Sequence, residues 1–326
     1  MSIVSHNLFI QSINAYIDPI KPVDKAIITH AHADHARPNH KTVLATEDTI
    51  NIMKIRYGNE CAKNFQIIKY GEKLVINDII VSFYPSGHIL GSAQILIENK
   101  NNKILITGDY KTIPDDTTES FKLVKTDTLI TEATFGLPIF KHPDPDKEIL
   151  KLLESVKNFS EKPHIVGAYA LGKAQRIIRL LRKAGYDEMI YMHGAIEKIS
   201  NYYIQKGIML GKLKKVEKED IKSLKGKIII APPSALKDRW IRKFDNVRTC
   251  LASGWMMIKQ RAKQSKVDLP LVISDHADWN ELTNTIINCQ TQKVWITHGR
   301  EDALKYWCEK NNIYAQALSL KGKEEH

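Results

Sequence analysis

Cysteine is scarce in this chain of 326 residues: Cys61, Cys250, Cys289 and Cys308 stand far apart, and no two form a C-x-x-C pair. That spacing excludes a disulfide framework and a cysteine-based zinc site, and it makes a reducing, cytoplasmic setting the natural expectation. Long apolar runs are also missing. Nothing approaches the ~18 consecutive apolar residues that a spanning helix needs, and the opening M-S-I-V-S-H-N-L-F-I-Q lacks a basic start followed by an apolar stretch, so no membrane association is expected. Internal repeats and low-complexity tracts are absent, which excludes solenoids and disordered linkers. With 43% hydrophobic and 26% charged residues, the chain reads as globular and long enough for two domains.

Acidic residues are thin in the middle of the sequence. The net charge of +11 is uneven: residues 137–268 hold 28 Lys or Arg against 14 Asp or Glu, a net of +14, while the remainder nets −3. Three stretches are densest, Lys173 to Lys183, Lys212 to Lys227, and Arg239 to Lys266, the last interleaved with Trp240, Phe244 and Trp255. The second also carries Glu217, Glu219 and Asp220 and reads as a solvated surface. The first and third suit a polyanionic partner, with aromatic rings at hand for base contact.

Short β-branched runs ending in polar or Gly-containing sequence predict strands at Lys25–Thr29, Ile79–Tyr84, Ala93–Glu98 and Lys103–Thr107. After Pro143 helical periods appear, at Lys147–Asn158 and Gly172–Ala184, separated by a strand at His164–Ala168. Further strands are expected at Lys227–Ala231, Leu271–Ser274 and Lys293–Thr297, with helices at Trp279–Asn288 and Asp302–Glu309. The chain is therefore a mixed α/β protein.

Ligand-type residues sit just past several of those strands. H-A-H-A-D-H places His30, His32, Asp34 and His35 directly after K-A-I-I-T, too many donors for one ion and suited to two adjacent ones. His88 lies in P-S-G-H, Asp109 in T-G-D-Y, His276 in S-D-H-A-D and His298 in T-H-G. Each alone reads as an ordinary loop residue or turn. Together they place six of the twelve histidines beyond strand carboxyl ends, where open α/β sheets bind ligands. The donor set is imidazole and carboxylate, which suits zinc and also accepts manganese.

In order, these motifs, with T-E-A-T-F-G at Glu132, resemble those of the metallo-β-lactamase superfamily and, within it, the β-CASP nucleases. The opening A-H-A-D-H-A-R-P-N is most similar to that of the bacterial ligase-associated DNA exonucleases. The resemblance implies a metallo-β-lactamase αβ/βα sandwich formed by residues 1–136 and 269–326, with residues 137–268 inserted as a basic β-CASP cap domain facing nucleic acid. It implies two Zn²⁺ ions, or Mn²⁺. His30, His32 and His88 would hold one ion, and Asp34, His35 and His298 the other, with Asp109 bridging. Asp18, in Y-I-D-P, would orient the ligand loop; as residues alone it reads equally as a turn cap before Pro19.

The implied activity is that of a metal-dependent phosphodiesterase, a DNA exonuclease in repair, in which hydroxide activated by two metal ions attacks phosphorus. His276 would be the general acid and Glu132 its orienting partner. A functional association with a DNA ligase follows from the same resemblance. A β-CASP ribonuclease acting in RNA processing shares every one of these residues. A small-molecule metallo-hydrolase leaves the +14 segment without a use. The compact length tilts the reading toward DNA.

G-A-Y-A-L-G-K-A at Gly167–Ala174 matches a phosphate-binding loop except that Ala174 stands where Ser or Thr must hold Mg²⁺. It is read instead as the family's G-x-x-Q turn, making Lys173 and Arg176 candidate nucleic-acid contacts near a helix N-terminus.

Overall fold

The computed structural model describes residues 4–5, 7–217, 221 and 223–318. Lys218, Glu219, Asp220 and Lys222, part of the expected solvated stretch, lie outside the described residues. The chain divides into two compact units, Met1–Lys141 with His276–His326, and His142–Asp275.

The first unit contains two sheets. The smaller runs in order β1 (Phe9–Ile10), β2 (Ala15–Ile17), β3 (Lys25–Ile27), β4 (His40–Ala45) and β5 (Ala62–Ile67). The larger has seven strands in the order β18 (Tyr314–Ala317), β17 (Lys293–Gly299), β10 (Thr128–Ala133), β9 (Lys103–Ile106), β8 (Ala93–Glu98), β7 (Ile79–Pro85) and β6 (Lys73–Ile76). Period-2 alternation makes the large sheet two-faced. Ile95, Ile97, Ile104, Ile106, Ile130 and Trp295 cluster with Ile17, Ile27 and Leu44 of the small sheet. Leu96, Leu105, Leu129, Val294 and Ile296 turn the other way and pack on Leu282 and Ile286 of α2 (Trp279–Asn288) and Leu304 of α3 (Glu301–Lys310). Helix α1 (Glu47–Tyr57) packs on β4 and β5. The layers follow the αβ/βα order expected from the sequence.

Strand direction gathers the site. β9, β10 and β17 are mutually parallel, and β7 shares their direction because β8 runs antiparallel to both β7 and β9. The segments after β7, β9, β10 and β17 therefore leave at one edge of the sheet. In the small sheet β2 and β3 are parallel, so Asp18 and the His30 loop also emerge together.

The second unit holds one wholly parallel sheet, ordered β13 (Leu213–Lys215), β12 (Ile190–Met192), β14 (Ile228–Ala231), β11 (His164–Gly167), β15 (Arg248–Ala252) and β16 (Leu269–Leu271). β11 and β14 are buried along their whole length, as parallel strands covered on both faces must be. One expectation is corrected here. The strand foreseen at Leu271–Ser274 ends at Leu271. Beyond it the amide of Val272 donates to the Glu148 carboxylate at 2.8 Å and the carbonyl of Ser274 accepts from Arg176, so backbone groups leave the ladder for buried charges.

Candidate metal centre

The loop after β3 is anchored before it reaches its first imidazole. Asp18 takes positive φ (46°) and accepts from the Thr29 amide at 2.8 Å and the Thr29 hydroxyl at 2.6 Å. It also receives the Nδ1–H of His35 at 2.7 Å. Because an ionised carboxylate only accepts, this bond places the proton of a neutral His35 on Nδ1 and its lone pair on Nε2. On the far side of the loop, Arg56 at the end of α1 donates to the carbonyl of Ala31.

Four donors converge. Ligand atoms of His30, His32, His88 and Asp109 all lie within 4.8 Å of one another. The ring nitrogens of His30 and His88 stand 3.2 and 3.0 Å from Nδ1 of His32, and Oδ2 of Asp109 is 3.4 Å from His30 and 3.7 Å from His88. The other oxygen of Asp109 faces elsewhere, 3.5 Å from Nε2 of His35, which is itself 3.5 Å from Asp34. The His298 ring centres 5.5 Å from that of His35. Asp109 thus has one oxygen on each of two imidazole sets. A second cluster joins Asp109 to Glu132 and His276, again within 4.8 Å.

Two glycines make the loops possible. Gly87, at φ +74°, lies so close to the Lys111 carbonyl that a Cβ would sit 2.2 Å from its oxygen; Gly299, at φ +98°, would bring one 2.1 Å from the Ala133 carbonyl. The β10–β17 register shifts at Glu132/Ala133, and His298 itself is left-handed at φ 55°. A backbone held there in a non-glycine residue stores strain, as functional sites often do.

Electrostatics favour cation binding. Burial, with neighbouring His276, His30 and His32, pushes His88 well below the ordinary imidazole range; burial and His35 also lower His30. Both therefore offer lone pairs at neutral pH. Burial works against ionisation of Asp109, yet His35, His276 and His30 hold its carboxyl well below the usual range. The donors present thus match a divalent metal held by histidine and carboxylate.

Beside this centre, Nδ1 of His276 is 2.9 Å from Oε2 of Glu132. Glu132, 2% exposed, also accepts from the Tyr110 amide at 2.7 Å and from the Thr134 hydroxyl. Three hydrogen bonds hold this carboxylate in place, and it in turn holds the His276 ring beside Asp109.

No family model matches the sequence. A probable DNA ligase of Opitutus terrae is 26% identical over 318 residues, covering 93% of this chain and 30% of the ligase. A probable RNase of Methanocaldococcus jannaschii is 30% identical over 234 residues, 61% of this chain and 54% of that protein. An uncharacterised protein encoded in the lig 3′ region of Acidianus ambivalens is 31% identical over 143 residues, 43% of this chain and 99% of its own length. These relatives support a place for the chain among the metallo-β-lactamase/β-CASP nucleases. It spans about a third of the ligase and about half of the RNase. A solved structure from Enterococcus faecalis, of a protein of unknown function, shares the fold at TM-score 0.61 and 13% identity over 92% of this chain and 80% of that one.

In the second unit, the G-x-x-Q turn is closed by Gln175, whose Oε1 accepts from the Gly172 amide at 2.8 Å while Nε2 donates to the Ala170 carbonyl and the Ser200 hydroxyl. The two cations beside it, in the first turns of the helix, are paired with a carboxylate. Lys173 and Arg176 are each 4% exposed and turn onto Asp275, at 3.8 and 3.0 Å. Arg176 also donates to the Ser274 carbonyl. Asp275 thus meets both charges within the unit. Exposed cations are found at Arg239, Arg242, Lys259, Arg261, Lys263 and Lys266. Arg261 stacks 3.8 Å over Trp255 and Lys243 lies 4.7 Å over Trp240. Sequence reading missed Arg56 and Glu281, single charged residues on helices that carry no motif.

Proposed function

We propose that the chain is a metal-dependent nuclease that hydrolyses phosphodiester bonds in DNA, acting as an exonuclease in repair alongside a ligase. The observation that carries this reading is the Asp109 carboxylate, one oxygen toward His30 and His88 and the other toward His35, beside the His276–Glu132 pair. His30, His32 and His88 would hold one cation and Asp34, His35 and His298 a second, with Asp109 shared and zinc or manganese as the ion. When bound, such a pair of cations supplies a water of lowered pKa and positive charge for the phosphate oxygens.

The chain's own groups do the rest. Glu132 keeps the proton on Nδ1 of His276 and sets the ring's direction, as a carboxylate does for a catalytic imidazole. Nε2 of His276 then hands its proton to the departing sugar oxygen. Asp18 holds His35 in the liganding tautomer. We assign catalysis to the first unit and grip of the polyanion to the second, whose exposed Arg239, Arg242, Arg261 and Lys263 offer phosphate contacts beside Trp240 and Trp255.

DNA is supported by the ligase match along 93% of the chain. The RNase relative, at higher identity over a shorter stretch, supports the second reading, a ribonuclease. Labelled single-stranded DNA and RNA of one sequence, with defined ends and Zn²⁺ or Mn²⁺, separate the two. Metal-dependent shortening of the DNA from one end is the expected result; cleavage of the RNA alone would replace the first reading with the second.

A further inference from the structure

We propose that Glu281 is a positioning residue of this site, fixing the loop that carries Asp109 against the turn that carries His276; this rests on the nuclease reading above. Glu281 lies in the first turn of α2, five residues after His276, and is 9% exposed. One oxygen, Oε2, does what a helix cap requires: it accepts from the Asp278 amide at 3.1 Å while Asp278 accepts from the Glu281 amide at 3.0 Å. The other has no such duty. Oε1 accepts from the Thr112 amide at 2.6 Å, the Thr112 hydroxyl at 2.7 Å and the Ile113 amide at 3.1 Å, all three on the loop leaving Asp109.

That loop and the His276 turn are linked at two further points. The Tyr110 amide donates to Oε1 of Glu132, whose Oε2 holds His276. The Tyr110 carbonyl accepts from the amide of Ala277 at 2.6 Å. Tyr110 is thus bonded on one side to the partner of His276 and on the other to the residue following it. Glu281 closes the same connection further along, two residues past Tyr110 on one segment and four past Ala277 on the other. The Lys111 amide meanwhile bonds Ser86, beside the Gly87–His88 loop. One carboxylate therefore sets the separation between the bridging Asp109 and the proton donor, and it touches neither substrate nor metal ligand.

A displaced proton donor matters most when the leaving group is poor, which gives a readout that general loosening would not. We would compare wild type, Glu281→Gln and Thr112→Val on a single-stranded oligonucleotide, whose leaving group is a sugar alkoxide, and on bis(4-nitrophenyl) phosphate, whose phenolate needs no proton. Glu281→Gln should lower oligonucleotide kcat by ~10²-fold at unchanged KM, with a loss at least ~10-fold smaller on the nitrophenyl ester. Metal content should stay at the wild-type value, and in the metal-free protein hydrogen exchange should quicken in residues 109–113. Equal losses on both substrates, or an unchanged oligonucleotide rate, would overturn the proposal. If Glu281→Gln does not fold, Thr112→Val decides: a smaller loss confined to the oligonucleotide is expected, and no loss overturns it. Wild type inactive on both substrates would instead overturn the nuclease reading, and unchanged exchange at 109–113 would then overturn the Glu281 link by itself.

Discussion

Asp109 faces two ways, since its two oxygens lie against different imidazole sets. Replacing it by Ala should abolish cleavage while nucleic-acid affinity, measured by filter binding, stays within a few-fold; retained cleavage would remove it from the mechanism. Asp18→Asn should act through His35, because a carboxamide turned the wrong way no longer fixes the tautomer, and a ~10–100-fold fall in metal affinity is expected by competition with a chelator. Arg176→Ala removes a cation 3.0 Å from the buried Asp275 carboxylate, which should cost about 3–5 kcal/mol in urea unfolding. A purely weakened affinity without lost stability would make Arg176 a phosphate contact. At this scale the histidines and Asp109 were legible because their density past strand ends is hard to ascribe to turns. Glu281 and Arg56 were not, since a helix-cap Glu and a lone Arg look the same whether they bond solvent or a ligand loop. Nor could charge counting tell that Lys173 and Arg176 pair with Asp275, 99 residues away from Arg176 in the chain.

Among the elements, strand direction explains why scattered motifs meet, and the motif glycines explain how tightly. Gly87→Ala would set a methyl 2.2 Å from a backbone oxygen at a φ that L-residues avoid, so His88 must move; loss of metal with retention of the sheet, seen by metal analysis and circular dichroism, is the expected outcome. The strand foreseen at Leu271–Ser274 was misjudged because an apolar run does not reveal that Glu148 and Arg176 compete for its backbone. β11 carries a pH dependence. His164 sits in a relay in which Arg248 donates to Ser155, and the ring nitrogens contact Ser155 at 3.0 Å and the Lys162 carbonyl at 3.2 Å. Burial lowers its pKa from 6.5. Between the folded value and 6.5 the unfolded chain binds more protons, so stability is full above that range and falls as pH drops through it. Urea unfolding should give a lower free energy at pH 5.5 than at pH 7.5, with the difference reduced in His164→Gln; an undiminished difference would assign the effect elsewhere.

For the whole molecule, the scarcity of acidic residues in the middle of the sequence and the histidine-rich strand ends turn out to belong to different compact units. The layered fold of the first unit was legible from its motif order, because each motif closes a strand. The six-stranded parallel sheet of the second was only partly so, since short strands such as β12 and β13 carry too few residues to show a period. Exposed cations on that unit should govern salt dependence: Arg239, Arg242 and Lys263 replaced together by Ala should reduce the slope of log affinity against log salt by up to ~2 for a single strand. An unchanged slope would place the phosphate contacts on other residues. The metal content of the purified chain tests the central claim most directly. After reconstitution with Zn²⁺ or Mn²⁺ and removal of excess, close to two ions per chain are expected by mass spectrometry in the wild type and fewer in Asp109→Ala. A wild-type stoichiometry of zero would contradict the metal centre and, with it, the nuclease.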